Sequence, residues 1–212
     1  MQNLITLVIA TRNRGKTAEI KDLLQDFSLE IKNLDDFGPI PVMAEDGDTF
    51  DENAYKKASF AARVLGIPAL ADDSGLMVDA LDGAPGVLSA RYGGEDATDT
   101  QRCVRLLEEM TGKTNRRAAF QCVISIAVPA GPALTYEARC DGLISEQPAG
   151  TNGFGYDPVF YYPPFEKTFA ELTREEKNRV SHRGKALMEL RGEFDKVMIW
   201  IRQQMSTHGR SV

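Results

Sequence analysis

The feature that most constrains the fold is the run at residues 4–10, LITLVIA, which is almost wholly apolar. A strand covered on both faces shows such a run, whereas a strand with one wet face alternates apolar and polar residues. A polar loop at residues 11–15 follows at once. Beyond it, apolar residues recur with helical spacing at Ile20, Leu23, Leu24 and Phe27. The order of strand, loop and helix predicts an α/β fold.

Three further helix starts are predicted by capping boxes, in which a threonine precedes a glutamate or glutamine by three positions. The pairs are Thr49 with Glu52, Thr98 with Gln101 and Thr173 with Glu176. The first of these helices is predicted to end near residue 66. A last helix is predicted over residues 184–205, and residues 206–212 are predicted to form a frayed tail because they lack periodicity.

The remaining segments have sequence patterns that predict β-strands. Residues 29–34 predict a short second strand. Residues 68–71 predict another, with the stretch LADDSG as its turn and residues 76–81 as a returning strand. Alternating apolar residues across 120–128 and 134–144 predict a long antiparallel hairpin.

The length of 212 residues suits one globular domain with two lobes, which we predict over residues 1–205. The formal net charge of −6 argues against a nucleic-acid partner bound non-specifically, because such binding depends on a basic surface. Cys103, Cys122 and Cys140 form neither a disulfide framework nor a zinc motif, so we predict buried, reduced thiols. No stretch approaches the roughly 20 apolar residues of a transmembrane helix, so we expect a cytoplasmic protein without a membrane partner.

Two neighbouring carboxylates, Asp72 and Asp73, follow an apolar segment directly. Like charges this close raise each other's pKa unless a cation neutralises them, and carboxylate oxygens suit Mg²⁺. Asp-Asp-Ser-Gly is equally typical of a turn, so the stretch alone favours neither interpretation. Glu45 belongs to a second acidic loop, which is either a solvated surface or a source of a third metal ligand.

The loop TRNRGKT, at residues 11–17, is the basic counterpart of these acidic residues. It follows a buried strand and opens a helix, so backbone N–H groups and the helix dipole favour an anion there. Counted from Ala10, the segment also resembles a relaxed phosphate-binding P-loop. Its bulky side chains and missing first glycine disfavour that interpretation, since a P-loop wraps compact residues around phosphate.

Two later segments are suited to a nucleobase. In NGFGYDP, glycines flank aromatic residues that can cover a base, and Asp157 can face the base edge or the ribose. His182 and Arg183 open the last helix and carry donors that suit a carbonyl oxygen. The alternatives are an aromatic residue packed at a strand entry and an exposed helix start.

Taken in order, these motifs resemble the inosine triphosphate pyrophosphatase family: TRNRGK, EDGDTFDENAYKKA, ADDSGLMVDAL, GAPG, SARY, GFGYDP, ELTREEK and SHRGKAL. The resemblance extends over residues 4–190. It implies an α/β fold with an elongated mixed β-sheet flanked by helices and two lobes with a central cleft. It also implies a homodimer that uses Mg²⁺ to hydrolyse ITP, dITP and XTP to the monophosphate and pyrophosphate.

The resemblance further implies a role for each matching residue. Asp73 would accept the proton of the attacking water. We expect Mg²⁺ and Lys16, which stabilise the charge of the transition state, to contribute more than any base. The residues implied to hold Mg²⁺ are Glu45, Asp72 and Asp73. Those implied to contact the substrate are Thr11, Asn13, Lys16, Lys57 and Ser74. The other residues of the first loop, Arg12, Arg14 and Gly15, are added as substrate-binding candidates. Those implied to hold the base or read its 6-oxo group are Phe154, Gly155, Tyr156, Asp157, Lys177, His182 and Arg183.

Two other functions remain open on the residues alone. A P-loop nucleoside or nucleotide kinase would use residues 10–17 to hold a phosphoryl donor. A nucleotide sensor without catalysis would use the same loops but would have no need of two adjacent carboxylates.

Overall fold

A computed structural model describes residues 4–41, 43 and 46–208 of the 212-residue chain. Within these residues, the strands are β1 (Ile5–Ile9), β2 (Leu29–Asn33), β3 (Ala69–Val78), β4 (Arg117–Ala127), β5 (Ala133–Ile144), β6 (Phe160–Tyr162) and β7 (Lys167–Thr168). The α-helices are α1 (Arg14–Leu24), α2 (Phe50–Leu65), α3 (Asp99–Glu109), α4 (Arg174–Val180) and α5 (His182–His208). The chain is therefore a mixed α/β protein, as predicted.

The strands form one seven-stranded mixed sheet in the order β2-β1-β3-β4-β5-β6-β7. β1 is parallel to β2 and to β3, whereas β6 is antiparallel to β5 and to β7. β4 and β5 are neighbours joined by residues 128–132. That link is too short for a parallel crossover, which needs a dozen or more residues, so the pair is the predicted antiparallel hairpin.

The chain divides into two compact units. The first comprises Met1–Asp73, Val123–Glu137 and Ala186–Val212, and the second comprises Ser74–Cys122 and Ala138–Lys185. Each has its own apolar core. The single two-lobed domain over residues 1–205, with a cleft between its lobes, stays a prediction.

Small side chains let α2 pack closely on the sheet in the first unit. Ala58, Ala61 and Ala62 of α2 are fully buried and share one core cluster with Ala69 and Ala71 of β3. Because alanine adds little bulk, the helix backbone can approach the strand. This packing places Lys57, which adjoins Ala58, against the acidic part of β3.

The path of β3 corrects the predicted turn at LADDSG. The strand continues through Asp72, Asp73 and Gly75 to Val78, so the two carboxylates lie within a strand rather than at its end. Successive strand residues point to opposite faces of a sheet, which separates the two charges. Each carboxylate also meets its own lysine, Lys16 or Lys57. The two lysines therefore offset the charge repulsion between the neighbouring carboxylates within the strand.

The last helix is longer than predicted at both ends. It begins at His182 rather than near 184, where the Ser181 hydroxyl accepts a hydrogen bond from Gly184 N–H at 3.0 Å. It continues past 205 to His208. The Ser206 and Thr207 hydroxyls donate to the Gln203 carbonyl, so they satisfy backbone acceptors of the last turn. The frayed tail is thus wrong for residues 206–208, and residues 209–212 lie outside the described residues.

No helix within the described residues combines the length and the apolar composition that crossing a membrane requires.

Candidate active site

Two buried carboxylates of β3 each pair with a lysine from a helix, Lys16 of α1 or Lys57 of α2. Asp72 is 1% exposed and Asp73 is 8% exposed. The Lys16 ammonium lies 3.1 Å from Asp72 Oδ2, and the Lys57 ammonium donates to Asp73 Oδ1 at 2.6 Å. Buried charges need such partners, because an uncompensated ion loses its hydration.

The start of α1 positions Lys16. The Asn13 side chain caps the helix by accepting the Lys16 backbone N–H at 3.1 Å, and the Thr11 hydroxyl accepts the Asn13 N–H at 3.2 Å. The Arg12 guanidinium donates to the Ile40 carbonyl at 3.3 Å. These contacts build a compact turn at a helix N-terminus, where backbone N–H groups and the helix dipole attract anions.

The same geometry weakens the P-loop alternative. Arg14 and Gly15 already belong to the first turn of α1, so only residues 10–13 connect β1 to the helix. A P-loop needs more backbone than this to wrap a phosphate. The segment is better described as a helix N-terminus with a lysine on its first turn.

Burial raises the pKa of Asp73 above its ordinary value of 3.8, and the Asp72 charge raises it slightly further. Lys57 and Lys16 oppose this rise, with Lys57 the stronger. The folded chain therefore binds the Asp73 proton more tightly than the unfolded chain does. That contribution to stability is present at low pH and is lost as the pH rises through the folded pKa. The raised pKa makes the ionised Asp73 a better proton acceptor than an exposed carboxylate.

The donor set on β3 fits Mg²⁺. Asp72 and Asp73 offer carboxylate oxygens, the ligands that this hard cation prefers. Within the described residues, no group of three or more His, Cys, Asp or Glu side chains is placed to hold a metal. Glu45, the third predicted ligand, lies outside the described residues. Mg²⁺ usually takes one or two protein carboxylates and completes its shell with water and phosphate oxygens. Since Asp72 and Asp73 point to opposite faces of β3, one of them held directly, with water and phosphate oxygens, is enough for a single ion.

In the second unit, Asp157 closes the loop that carries Phe154. Its Oδ2 atom accepts the Phe154 backbone N–H at 2.8 Å and the Lys177 ammonium at 2.6 Å. Gly153 has φ +78°, and a Cβ there would lie 2.0 Å from Asp157 Oδ2, so only glycine fits. These contacts give Asp157 a structural role within the loop. Its contact with a base stays a prediction.

Two cations lie against the ring of Phe154. The Lys177 ammonium is 4.6 Å from the ring centroid, and the centre of the Arg183 guanidinium is 5.6 Å from it. Arg183 also donates to the Ser74 hydroxyl at 3.3 Å. The structure thus gathers Ser74, Phe154, Lys177 and Arg183, four residues that the sequence placed far apart. Cations near an aromatic face are attracted by its electron density.

The start of α5 is buried, which corrects the alternative of an exposed helix start. His182 is 4% exposed and Arg183 is 2% exposed. The His182 ring stacks on Phe120 with centroids 4.5 Å apart and planes 8° from parallel. A fixed imidazole beside a buried guanidinium can present donors in a defined direction.

Tyr156 is placed in the core. It is 4% exposed, and its hydroxyl donates to the Ser89 carbonyl at 2.9 Å. The alternative of an aromatic residue packed at a strand entry therefore describes Tyr156, whereas Phe154 is only partly buried. A contact between Tyr156 and a base stays a prediction.

Comparison with known proteins assigns this chain to a family. A model of the Ham1 family matches residues 7–193. The chain belongs to the Ham1 family. This confirms the resemblance to inosine triphosphate pyrophosphatases.

Relatives of this Ham1 chain cover most of its length. A protein of Desulfotalea psychrophila named dITP/XTP pyrophosphatase is 60% identical over 200 residues, which are 94% of this chain and 90% of that protein. A protein of the same name from Syntrophobacter fumaroxidans is 60% identical over 92% of this chain and 84% of its own length. The structure of a HAM1 protein from Coxiella burnetii matches with a TM-score of 0.85 and 42% identity, covering 91% of this chain and 100% of that one.

The predicted residues of this Ham1 chain fall into two groups. Thr11, Asn13, Lys16, Lys57, Asp72 and Asp73 are gathered in the first unit, and Ser74, Phe154, Asp157, Lys177, His182 and Arg183 in the second. Asp73 and Ser74 are consecutive residues of β3. Ser89, Asp99 and Phe120 contact the predicted residues Tyr156, Gly155 and His182, respectively, but were not themselves predicted for the site. Ser89 lies in the quoted motif SARY, but no local pattern marks Asp99 or Phe120 as part of a site.

Proposed function

We propose that this chain is a dITP/XTP pyrophosphatase that hydrolyses ITP, dITP and XTP to the nucleoside monophosphate and pyrophosphate. The observation that carries the proposal is the pair of buried carboxylates on β3, each facing a lysine, beside the capped N-terminus of α1. The names of relatives at 60% identity support the same activity. A sensor without catalysis would give no reason to bury two adjacent carboxylates at a cost to folding.

The triphosphate would bind at the start of α1. Lys16 and the N–H groups of the first turn attract phosphate oxygens, and Lys57 adds a second buried cation. The remaining loop residues proposed to contact the triphosphate are Thr11, Arg12, Asn13, Arg14 and Gly15. Ser74, the next residue of β3, is also proposed to contact the substrate.

Mg²⁺ is proposed as the cofactor, held by Asp72, Asp73 and Glu45. Charge balance supports it, because the two lysines already offset the two carboxylates and leave the added charge of a triphosphate uncompensated. When bound, the metal would neutralise charge on the phosphate oxygens and on the leaving pyrophosphate.

Asp73 is proposed to accept the proton of a water that attacks the α-phosphorus, since attack at that atom makes pyrophosphate the leaving group. Its raised pKa matches the need for a base with appreciable proton affinity. Lys57 holds the carboxylate in one orientation at 2.6 Å. Positioning and charge compensation dominate such reactions, so Mg²⁺ and Lys16 should contribute more than the base.

The base would lie against Phe154, in the loop of Gly155, Tyr156 and Asp157. Lys177, His182 and Arg183 are proposed to donate to its 6-oxo group. A protonated lysine or arginine side chain offers donors and no acceptor, so it suits a carbonyl and leaves a 6-amino group without a partner. This asymmetry would favour ITP, dITP and XTP over ATP.

Homodimerisation, implied by the family resemblance, is part of the proposal, as is one two-lobed domain that contains both units. Mass measurement in solution tests the dimer, since the chain has a mass of 23.4 kDa. A nucleic acid or a membrane is not among the proposed partners.

The direct test is incubation of the chain with ITP and Mg²⁺, followed by separation of the products. We expect IMP and pyrophosphate, and we expect turnover to stop when EDTA removes the metal and to return when Mg²⁺ is added in excess. IDP with phosphate, or transfer to an acceptor, would favour the kinase alternative. Binding of ITP without any turnover would favour the sensor.

Lys57→Met tests the buried pair. Because Lys57 is the strongest influence that lowers the pKa of Asp73, its removal should raise that pKa further. The acidic limb of the kcat/KM profile for ITP should then move to higher pH, since Asp73 acts only when ionised. Loss of one partner of a buried pair should also lower the free energy of unfolding by roughly 3 kcal/mol.

The matched control for this variant is Lys56→Met. Lys56 is the neighbouring residue, and its ion pair with Asp46 is exposed, so little change in stability and no change in the pH profile is expected. An acidic limb at the same pH in Lys57→Met as in the control would contradict the assigned coupling.

A further inference from the structure

Side chains of helix α3 bind both backbone polar groups of Gly155, its N–H and its carbonyl. The Asp99 Oδ2 atom accepts the Gly155 N–H at 2.7 Å. One turn further along the same helix, the Cys103 thiol donates to the Gly155 carbonyl at 3.4 Å. Residues four apart share one face of a helix, so the two side chains act on the glycine from one rigid element.

Gly155 needs such a restraint. Its φ is +63°, a left-handed conformation that glycine adopts easily, and no atom within 4 Å would contact a Cβ at this position. A side chain at this position would have no packing partner, and a glycine without restraint samples many conformations. Burial raises the pKa of Cys103 to about 12, so the thiol keeps its proton at neutral pH and remains a donor.

The position of Gly155 affects the ring of the preceding residue, Phe154. Phe154, the residue before it, carries the ring that faces Lys177 and Arg183. The Phe154 N–H is already fixed by Asp157, so the Gly155 peptide is the other end of the short segment that orients this ring.

We propose that Asp99 is a positioning residue for the base end of the site, because it fixes the Gly155 peptide and thereby the ring of Phe154. This inference rests on the proposed function, in which a purine lies against Phe154. Asp99 takes no part in the reaction itself. Its side chain is 49% exposed and its other oxygen pairs with Arg102 at 2.5 Å, so its removal should leave the helix folded. Thr98 and Gln101 still cap α3 in such a variant.

The experiment compares Asp99→Ala, Asp99→Asn and the control Glu108→Gln, which removes an exposed carboxylate from the same helix. Hydrogen exchange followed by NMR reports directly on the Gly155 amide. Steady-state hydrolysis of ITP with Mg²⁺ gives KM and kcat separately. Thermal unfolding of each variant checks that the fold is retained.

Asp99→Ala should speed exchange of the Gly155 amide and raise the KM for ITP roughly 10-fold, the effect of losing one hydrogen bond to a charged group, with kcat changed far less. Asp99→Asn retains an acceptor, and a neutral bond is about half as strong, so the KM should rise only about 3-fold. Glu108→Gln should match the wild type in both measurements.

Unchanged exchange at Gly155 in Asp99→Ala would overturn the inference, as would a KM equal to that of Glu108→Gln. A fall in kcat without a rise in KM would also overturn it, because the residue would then act on the reaction step. Failure of the wild type to hydrolyse ITP would instead remove the proposed function, and the exchange measurement would still decide whether Asp99 fixes Gly155.

Discussion

Asp73→Asn is expected to lower kcat for ITP hydrolysis by roughly 10²–10⁴-fold, the range that a general base contributes. The amide has nearly the same shape as the carboxylate but cannot accept a proton from water. Lys16, Lys57 and the N-terminus of α1 remain in this variant, so the phosphate groups keep their principal partners. The dissociation constant for ITP should therefore change by no more than about 3-fold.

The measurements are single-turnover hydrolysis and equilibrium binding of ITP, both at saturating Mg²⁺. Asp51→Asn is the matched control, because Asp51 is an exposed acid in the first turn of α2 and should show wild-type rates. Retained activity in Asp73→Asn would remove Asp73 as the proton acceptor. Loss of ITP binding without catalysis would instead identify Asp73 as chiefly a ligand.

Elements with local causes could be predicted from the sequence. The apolar run LITLVIA gave β1, whose Leu7, Val8 and Ile9 are fully buried. The capping threonines predicted the first residue of three helices, each to within one position. In each case the threonine hydroxyl accepts the N–H three positions later, as at Thr98 and Gln101. Such signals succeed because the interacting groups lie within one turn of each other.

The path of β3 could not be predicted in the same way. Asp-Asp-Ser-Gly has the local preferences of a turn, and those preferences are overridden by partners from other elements. Lys57 is 16 positions from Asp73, and Lys16 lies on a different helix. Only the folded chain shows that each carboxylate has its own lysine, so the strand continues where the sequence predicts a reversal.

The candidate site was likewise predicted only in part. Residues within recognisable motifs, such as Lys16, Asp73 and Arg183, were found because resemblance supplied the long-range information that periodicity lacks. Asp99 was missed because its contact with Gly155 spans 56 positions and its own surroundings resemble any first helical turn. Asp157 was found, but its part in closing the loop appeared only with the contacts to Phe154 and Lys177.

Arg183→Met is expected to reduce the preference for ITP over ATP, measured as the ratio of their kcat/KM values, by about 100-fold. The Arg183 guanidinium is 2% exposed and lies beside Ser74 and the ring of Phe154, where solvent cannot replace a lost partner. It offers donors only, so it stabilises a 6-oxo group and penalises a 6-amino group. Methionine fills similar volume without a donor, so the rate with ITP should fall while the low rate with ATP changes little.

Two further variants separate recognition from packing. Arg179→Met removes an exposed arginine from α4 and should leave the ratio unchanged. Arg183→Lys keeps the charge but not the planar fork of donors, so an intermediate ratio is expected. An equal fall of kcat/KM with both nucleotides in Arg183→Met, at an unchanged melting temperature, would assign Arg183 to the phosphate groups or to the reaction step instead. Since a carbonyl and an amino group differ in hydrogen-bonding direction while their size is similar, only a donor fixed by its surroundings can separate the two nucleotides.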